Sequence, residues 1–192
     1  MENSIQKIKC PLCSGGVEKW GEKNSYFLYK CRLCSLIFVY PTVDPSSIYS
    51  QDYFSGATDG FGYVDYDADK EPMIPTFNRY IDLFKKYGKE KGSLFDIGAA
   101  TGFFLKIAQN RGYSVSGVEM SDHAAGEARK AGLDVKSGDM MSMTLSNETF
   151  DIVTMLDVLE HMTDPLNELL EVKRILKKGG LLAINAPNGE SL

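Results

Sequence analysis

The chain carries four cysteines, all within its first 34 residues: Cys10, Cys13, Cys31 and Cys34. They form one C-x2-C pair, a gap of seventeen residues, and a second C-x2-C pair. Two such pairs can supply four thiolates to a tetrahedral zinc ion, which binds sulfur at about 2.3 Å. Four thiolates leave no open coordination position, so the metal would be structural. A module of about 40 residues cannot bury much core, so metal binding would supply most of its folding free energy. Four free thiols would be a coincidence of spacing. A redox C-x-x-C lacks the thioredoxin-like strand that would precede Cys10.

A second group of residues could hold an organic ligand. Leu94 to Phe103 reads LFDIGAATGF and joins a strand-like run to a helix-like one. Small residues let the backbone approach a ligand, and a helix N-terminus offers unpaired N–H groups. In a doubly wound sheet this is where the ligand crevice lies. Glu119 follows Gly98 by 21 residues, at the end of the next strand-like run, where a carboxylate can accept hydrogen bonds from ribose hydroxyls. A dinucleotide site would want G-x-G-x-x-G. Here Ala100 and Phe103 stand where the second and third glycines would be. Asp96 suits a ligand that carries a cation and an amino group.

The run Asp96-Ile97-Gly98-Ala99-Ala100-Thr101-Gly102 resembles motif I of class I S-adenosylmethionine-dependent methyltransferases, D/E-x-G-x-G-x-G, with Ala100 in place of the middle glycine. Val118-Glu119-Met120-Ser121 resembles that family's ribose-binding strand end. Ser137-Gly138-Asp139-Met140 resembles the loop whose Asp meets the adenine amino group, with Met140 against the ring. Phe150 to His161 resembles motif IV and includes Leu156, while Asp164-Pro165 and Leu176 to Gly180 resemble the helix and turn before the fifth strand. The resemblance implies S-adenosylmethionine as cofactor, a small-molecule methyl acceptor, and His161 as the one imidazole placed to act as a base. The cysteine module followed by Ile48-Tyr49 and Asp52-Tyr53-Phe54 resembles bacterial methyltransferases with zinc-binding N-termini, among them sugar C-methyltransferases.

Each of these residues also has a plain structural reading. Asp96 could bond a backbone amide, Glu119 could complement a helix dipole before Ser121, and Asp139 could be a turn residue. A lone histidine such as His161 is often structural. His123 reads as a surface residue, and Trp20 and the aromatics of the middle segment read as packing rather than as a substrate platform.

The elements that must position these groups alternate. Strands are expected at Ser93–Ile97, Ser114–Glu119, Leu133–Ser137, Phe150–Leu156 and Leu181–Asn185. Helices are expected at Phe103–Arg111, from a Ser121 cap to Ala131, and at Pro165–Lys177 after an Asp164 cap. The alternation implies an α/β fold: a Rossmann-like, doubly wound parallel sheet preceded by a small zinc ribbon with a hairpin in Ser14 to Lys30. Three regions follow: residues 1–40 as the zinc module, 41–92 as a connector and lead-in, and 93–192 as the cofactor core. The connector is rich in aromatics (Tyr49, Tyr53, Phe54, Phe61, Tyr63, Tyr66), with Gly56, Gly60 and Gly62 marking loops. It closes with a helix over Thr76–Tyr87, whose face is Phe77, Tyr80, Ile81 and Phe84.

Of the 192 residues 43% are hydrophobic, and no run is apolar enough for a membrane span. With no signal-peptide core at the start, a cytoplasmic location is expected. Residues 1–40 hold six basic and three acidic residues, a net +3, so a net charge of −5 leaves −8 on the remainder. That balance disfavours nucleic acid as partner, the RNA-binding alternative resting on the +3 module alone. Only seven residues follow Asn185, fewer than the helix and two strands that complete a seven-stranded methyltransferase sheet. The sequence therefore leads us to expect a C-terminally short core with retained but weakened cofactor binding and poor or no turnover, a non-catalytic S-adenosylmethionine-binding fragment being the alternative. It also leads us to expect self-association through an uncovered edge at Phe150–Leu156 or Leu181–Asn185.

Overall fold

A computed structural model of the chain describes residues 8–42 and 66–189. The connector residues Ile48, Tyr49, Asp52, Tyr53, Phe54, Gly56, Gly60, Phe61, Gly62 and Tyr63 lie outside the described residues.

The N-terminal part is a three-stranded antiparallel sheet of β1 (Val17–Lys23), β2 (Tyr26–Cys31) and β3 (Ile37–Tyr40), in that order. Asn24 and Ser25 join β1 to β2 with φ of 50° and 67°. Two consecutive left-handed residues match the right-handed twist of a two-residue hairpin, and Asn tolerates that conformation well. β1 bulges between Lys19 and Gly21, and Trp20 at the bulge is 41% exposed rather than packed.

A lead-in follows: α1 (Tyr66–Lys70), one 3-10 turn at Glu71–Met73, and α2 (Ile74–Lys86). The last helix begins two residues before the Thr76 expected from periodicity. Pro75 stands in its first turn, where its missing N–H costs nothing. Its inner face is Phe77, Ile81 and Phe84, all buried, and it ends before Gly88.

The remainder alternates as the sequence implies: β4 (Ser93–Ile97), α3 (Phe103–Asn110), β5 (Ser114–Glu119), α4 (Asp122–Lys130), β6 (Asp134–Ser137), β7 (Phe150–Leu156), α5 (Pro165–Ile175) and β8 (Leu176–Asn185). The five strands pair in parallel in the order β6-β5-β4-β7-β8. Chain direction across the sheet reverses between β4 and β7, which opens a crevice at the carboxyl ends of the strands. Successive side chains on a strand face opposite sides, and both sides are covered. Leu94 and Ile152 join α2, α3 and α4 in one apolar cluster. Phe95, Ile97, Val153 and Met155 join Val172 and Ile175 of α5 in the other. Sheets buried on both faces need near-continuous apolar strands, which is what FDIVTML in β7 provides.

Two expectations are corrected. α5 stops at Ile175 instead of Lys177, because Leu176 turns to extended backbone (φ −69°, ψ 136°) and pairs with Phe150. Lys177 to Gly180 then form an irregular turn within β8, and regular pairing resumes at Leu181 opposite Ile152. The strand expected from Leu181 thus begins at Leu176. The second correction concerns the edge. β7 is flanked by β4 and β8, so among the described residues the edges of this sheet are β6 and β8 and not Phe150–Leu156.

Candidate functional site

The four cysteine sulfurs converge. Their Sγ atoms lie within 4.8 Å of one another, with Cys10–Cys34 at 3.6 Å, Cys13–Cys31 at 3.5 Å and Cys13–Cys34 at 3.5 Å. Sulfurs at the corners of a zinc tetrahedron would stand about 3.8 Å apart, so the donor set fits the ion. The two knuckles are built alike. Ser14 N–H donates to the Cys10 carbonyl and Ser35 N–H to the Cys31 carbonyl, and both serines are left-handed, with φ of 56° and 63°. Backbone N–H groups of Cys34 and Leu33 point at Cys31 Sγ, and they pull that thiol down to about 6 against the opposing effect of burial. A Cβ on Gly15 would lie 3.1 Å from Cys31 Sγ and 3.2 Å from Cys13 Sγ, so this close approach favours glycine.

A second site opens at the carboxyl ends of β4, β5, β6 and β7, as a cavity of about 490 Å³. That volume lies within the usual range for small-molecule pockets. Of the residues singled out from sequence, Gly98, Ala100, Glu119, Met120, Asp139, Met140, Leu156 and His161 line it. β5 ends at Glu119, which is only 7% exposed. Its Oε2 accepts from Ala100 N–H at 2.9 Å and its Oε1 from Ser121 N–H at 2.8 Å, so the carboxylate ties strand end to glycine loop. Burial raises its pKa and those backbone donors oppose the rise. Each carboxylate oxygen still has a lone pair to offer a ligand. Gly98 has φ +75°, and a Cβ there would run into Val158 Cγ2. Ala100 stands in the left-handed region at φ +48°, the conformation that explains why a glycine is usual at that place.

Asp139 caps a 3-10 turn at Met140–Ser142 by accepting from Met141 N–H at 3.0 Å. Met140 is buried between the cavity and the α5-side core. His161 closes a 3-10 turn at Leu159–His161 at the cavity mouth. Its side chain is 43% exposed, with Nε2 4.0 Å from Glu160 Oε1.

Four of the expected residues stand outside the cavity wall. Asp96 is 3% exposed in the middle of the sheet, where it accepts from Thr154 Oγ1 at 2.5 Å. Burial pushes its pKa up to about 7, the Thr154 hydroxyl opposes this, and the Glu119 charge adds to it. Ala99 packs into the core, Gly102 caps α3, and Thr101 Oγ1 donates to Asp67 of α1 at 2.5 Å. None of these four residues lines the cavity. They hold the shape of the loop, and Thr101 fastens it to the lead-in. His123, read as a surface residue, is half-buried on α4.

Asp157 and Val158 of the motif IV run, not singled out as contacts, also line the wall, and Thr42 just past β3, Met162, Thr163 and Glu168 escaped the sequence reading. Asp157 is left-handed at φ +58° and accepts from the Asn185 side chain at the end of β8. A non-glycine residue forced to positive φ just after a strand is a structural signal that no spacing pattern carries.

Residues 70–191 match the family described as "Methyltransferase domain". The chain belongs to that family. As a methyltransferase-domain chain it is similar to the ubiquinone biosynthesis O-methyltransferase of Pseudomonas paraeruginosa, 28% identical over 103 residues, covering 50% of this chain and 44% of that protein. The protein of the same name from Nitrosomonas europaea is 28% identical over 108 residues, covering 53% and 46%. The match spans less than half the length of these curated relatives. Among solved structures, a Pyrococcus horikoshii protein is 25% identical with a TM-score of 0.50, over 68% of this chain and 61% of that one. The plantazolicin methyltransferase shares the fold with a TM-score of 0.58 at 17% identity, over 66% and 52%. No helix among the described residues is long and apolar enough to cross a membrane.

Proposed function

We propose that the cavity at the carboxyl ends of β4 to β7 holds S-adenosylmethionine, and that the chain directs its methyl group to a small-molecule acceptor. The observation that carries this reading is Glu119. It is a buried carboxylate at the end of β5, bonded to the glycine loop and facing the cavity. In this reading Glu119 accepts from the ribose hydroxyls, while Asp139 and Met140 take the adenine. Gly98 and Ala100 bring the backbone close to the amino-acid end. Met120 and Leu156 supply apolar wall, and Asp96, Ala99, Thr101 and Gly102 fix the loop's course. Buried beside the loop, Asp96 would favour the ligand's ammonium when ionised.

The bound cofactor supplies a carbon activated by a sulfonium. The chain's own task is then to hold the acceptor in line with that carbon, and positioning of this kind accounts for much of such an acceleration. His161 stands at the open side and would take the proton from an acceptor hydroxyl. The relatives' O-methyltransferase names weigh towards an oxygen nucleophile over the carbon of the sugar C-methyltransferase alternative. Cys10, Cys13, Cys31 and Cys34 would hold structural zinc in a module of residues 1–40, with 41–92 as connector and 93–192 as cofactor core.

Calorimetry with S-adenosylhomocysteine tests the ligand assignment. Wild-type chain should bind it, and Glu119→Ala should weaken binding by roughly 1–3 kcal/mol, the value of a hydrogen bond to a charged group. Equal affinity in the variant would remove Glu119 from the site, and tighter binding of NAD would overturn the choice of cofactor.

A further inference from the structure

Among the described residues, Glu168 is the one acid of the cavity that lies outside the motif runs. It lies in the first turn of α5, where the chain reads DPLNE, and it lines the same cavity as Asp139 and Met140. Its Oε2 is completely enclosed and has no hydrogen-bond partner among the described residues. A buried carboxyl oxygen without a partner is rare, because it gives up water and gains nothing. Glu168 itself lines the ligand cavity, so a bound group towards which the carboxyl turns would satisfy that oxygen. The neighbouring helix cap is already complete, since Asp164 accepts from the Asn167 N–H and side-chain amide.

We propose that Glu168 is a second reader of the ligand's purine, engaging its ring nitrogen and 6-amino group alongside Asp139. This rests on the proposed cofactor site and extends it from the ribose to the base edge. Burial raises the Glu168 pKa to about 7, and the charges of Asp139, Asp164 and Glu171 add to the rise. A neutral carboxyl has one O–H to donate and one oxygen to accept with. That pair matches a 6-aminopurine, whose N1 accepts and whose amino group donates. Asp139 as an acceptor then selects against a 6-oxo group. Glu171 is engaged by Arg174 on its own helix. The other titratable groups of the cavity wall are Glu119, Asp157 and His161, and Asp96 lies buried behind the loop.

The expected pH dependence is therefore differential. Ionisation of Asp96 strengthens binding of an ammonium-bearing ligand as pH rises, whereas ionisation of Glu168 removes the donor to N1. Comparing wild type with Glu168→Gln cancels the first effect, because the amide keeps a donor and an acceptor at every pH.

The test is calorimetry of S-adenosylhomocysteine with wild type, Glu168→Gln, Glu168→Ala and Glu119→Ala at pH 6 and pH 8.5, with the melting point of each free protein as the folding control. Glu168→Gln should match wild type at pH 6 and bind several-fold tighter than wild type at pH 8.5. Glu168→Ala should bind roughly tenfold more weakly at pH 6 while melting near the wild-type temperature. Loss of affinity on Glu119→Ala with no change in either Glu168 variant would overturn the role of Glu168 and leave the cofactor site standing. No binding by wild type would overturn both. If the Glu168→Gln and wild-type affinities keep a constant ratio between the two pH values, the carboxyl does not act as the donor and the proposal fails.

Discussion

The two ends of this chain are held together by different physics. In the N-terminal part the buried apolar residues among those described are Cys10 and Cys31, and Trp20, Phe27, Val39 and Tyr40 each keep more than a third of their surface exposed. The methyltransferase-domain part has two apolar clusters, one on each face of a parallel sheet, with Leu94, Leu105, Ile152, Val153 and Met155 fully or nearly fully buried. One region has a tetrad of sulfurs where a core would be, and the other has the core. A short segment of this kind would be ordered by a few metal–sulfur bonds at fixed spacing if the tetrad binds zinc. A ligand cavity made of strand ends needs a rigid platform beneath it.

Metal removal should have the largest effect and should split the two regions. Trp20 is the only tryptophan, so its fluorescence reports the N-terminal module alone. A strong chelator should unfold that module, since structural zinc supplies on the order of 10–16 kcal/mol. Far-UV circular dichroism of the helical core should persist through the same titration. Unchanged Trp20 emission with metal fully extracted would show that the module folds without it.

The same truncation made in each region is the next test. Ile152→Ala removes side-chain volume from the centre of the sheet and should cost about 2–5 kcal/mol in urea unfolding. Val39→Ala, at an exposed position of β3, should cost less than about 0.5 kcal/mol. Similar losses at both positions would mean that the module has an apolar core after all.

Much of this division was readable in the sequence, for reasons specific to each element. β5 and β7 have the bounds expected from their apolar runs, and Glu119 was recognisable because a strand-end acid follows the glycine loop at a fixed interval. The end of α5 was not readable, because Leu176 continues the helical spacing and only its pairing with Phe150 pulls it into the sheet. Asp96 looked like a ligand contact in sequence. Its partner Thr154 lies 58 residues away and meets it only when β4 and β7 align. Glu168 and Thr42 carry no local signature, since the cavity wall is assembled from elements distant along the chain.

Smaller effects sharpen the description of the core. At the end of the sheet away from the cavity, Asp151 accepts from Lys177 Nζ at 2.7 Å and from Ser93 N–H and Oγ at 2.9 Å. The Lys177 hydrogen bond leads in holding its pKa at about 2, well below the unfolded value of about 3.9. A depressed carboxylate stabilises the fold above the unfolded pKa and loses that contribution as pH falls towards the folded one. Lys177 is 43% exposed, so screening limits the contribution to about 1 kcal/mol. Asp151→Asn should lower core stability at pH 7 by that amount and flatten its decline between about pH 4 and pH 2. An unchanged acid limb would assign the decline to other carboxylates. The smallest effect is expected for Ala100→Gly. Relief of the left-handed strain is partly offset by a looser unfolded chain, for a net gain below about 1 kcal/mol. Destabilisation would mean that the buried Ala100 methyl contributes more than its backbone strain costs.

The central claim is that ligand binding belongs to the strand ends of the core and metal binding to the N-terminal module. Hydrogen exchange of the zinc-loaded chain with and without S-adenosylhomocysteine tests it most directly. The account predicts slower exchange in peptides covering Gly98–Gly102, Glu119–Ser121 and Gly138–Ser142, with peptides covering Cys10–Cys34 unchanged. Protection confined to the cysteine module, or none at Glu119–Ser121 under saturating ligand, would contradict it.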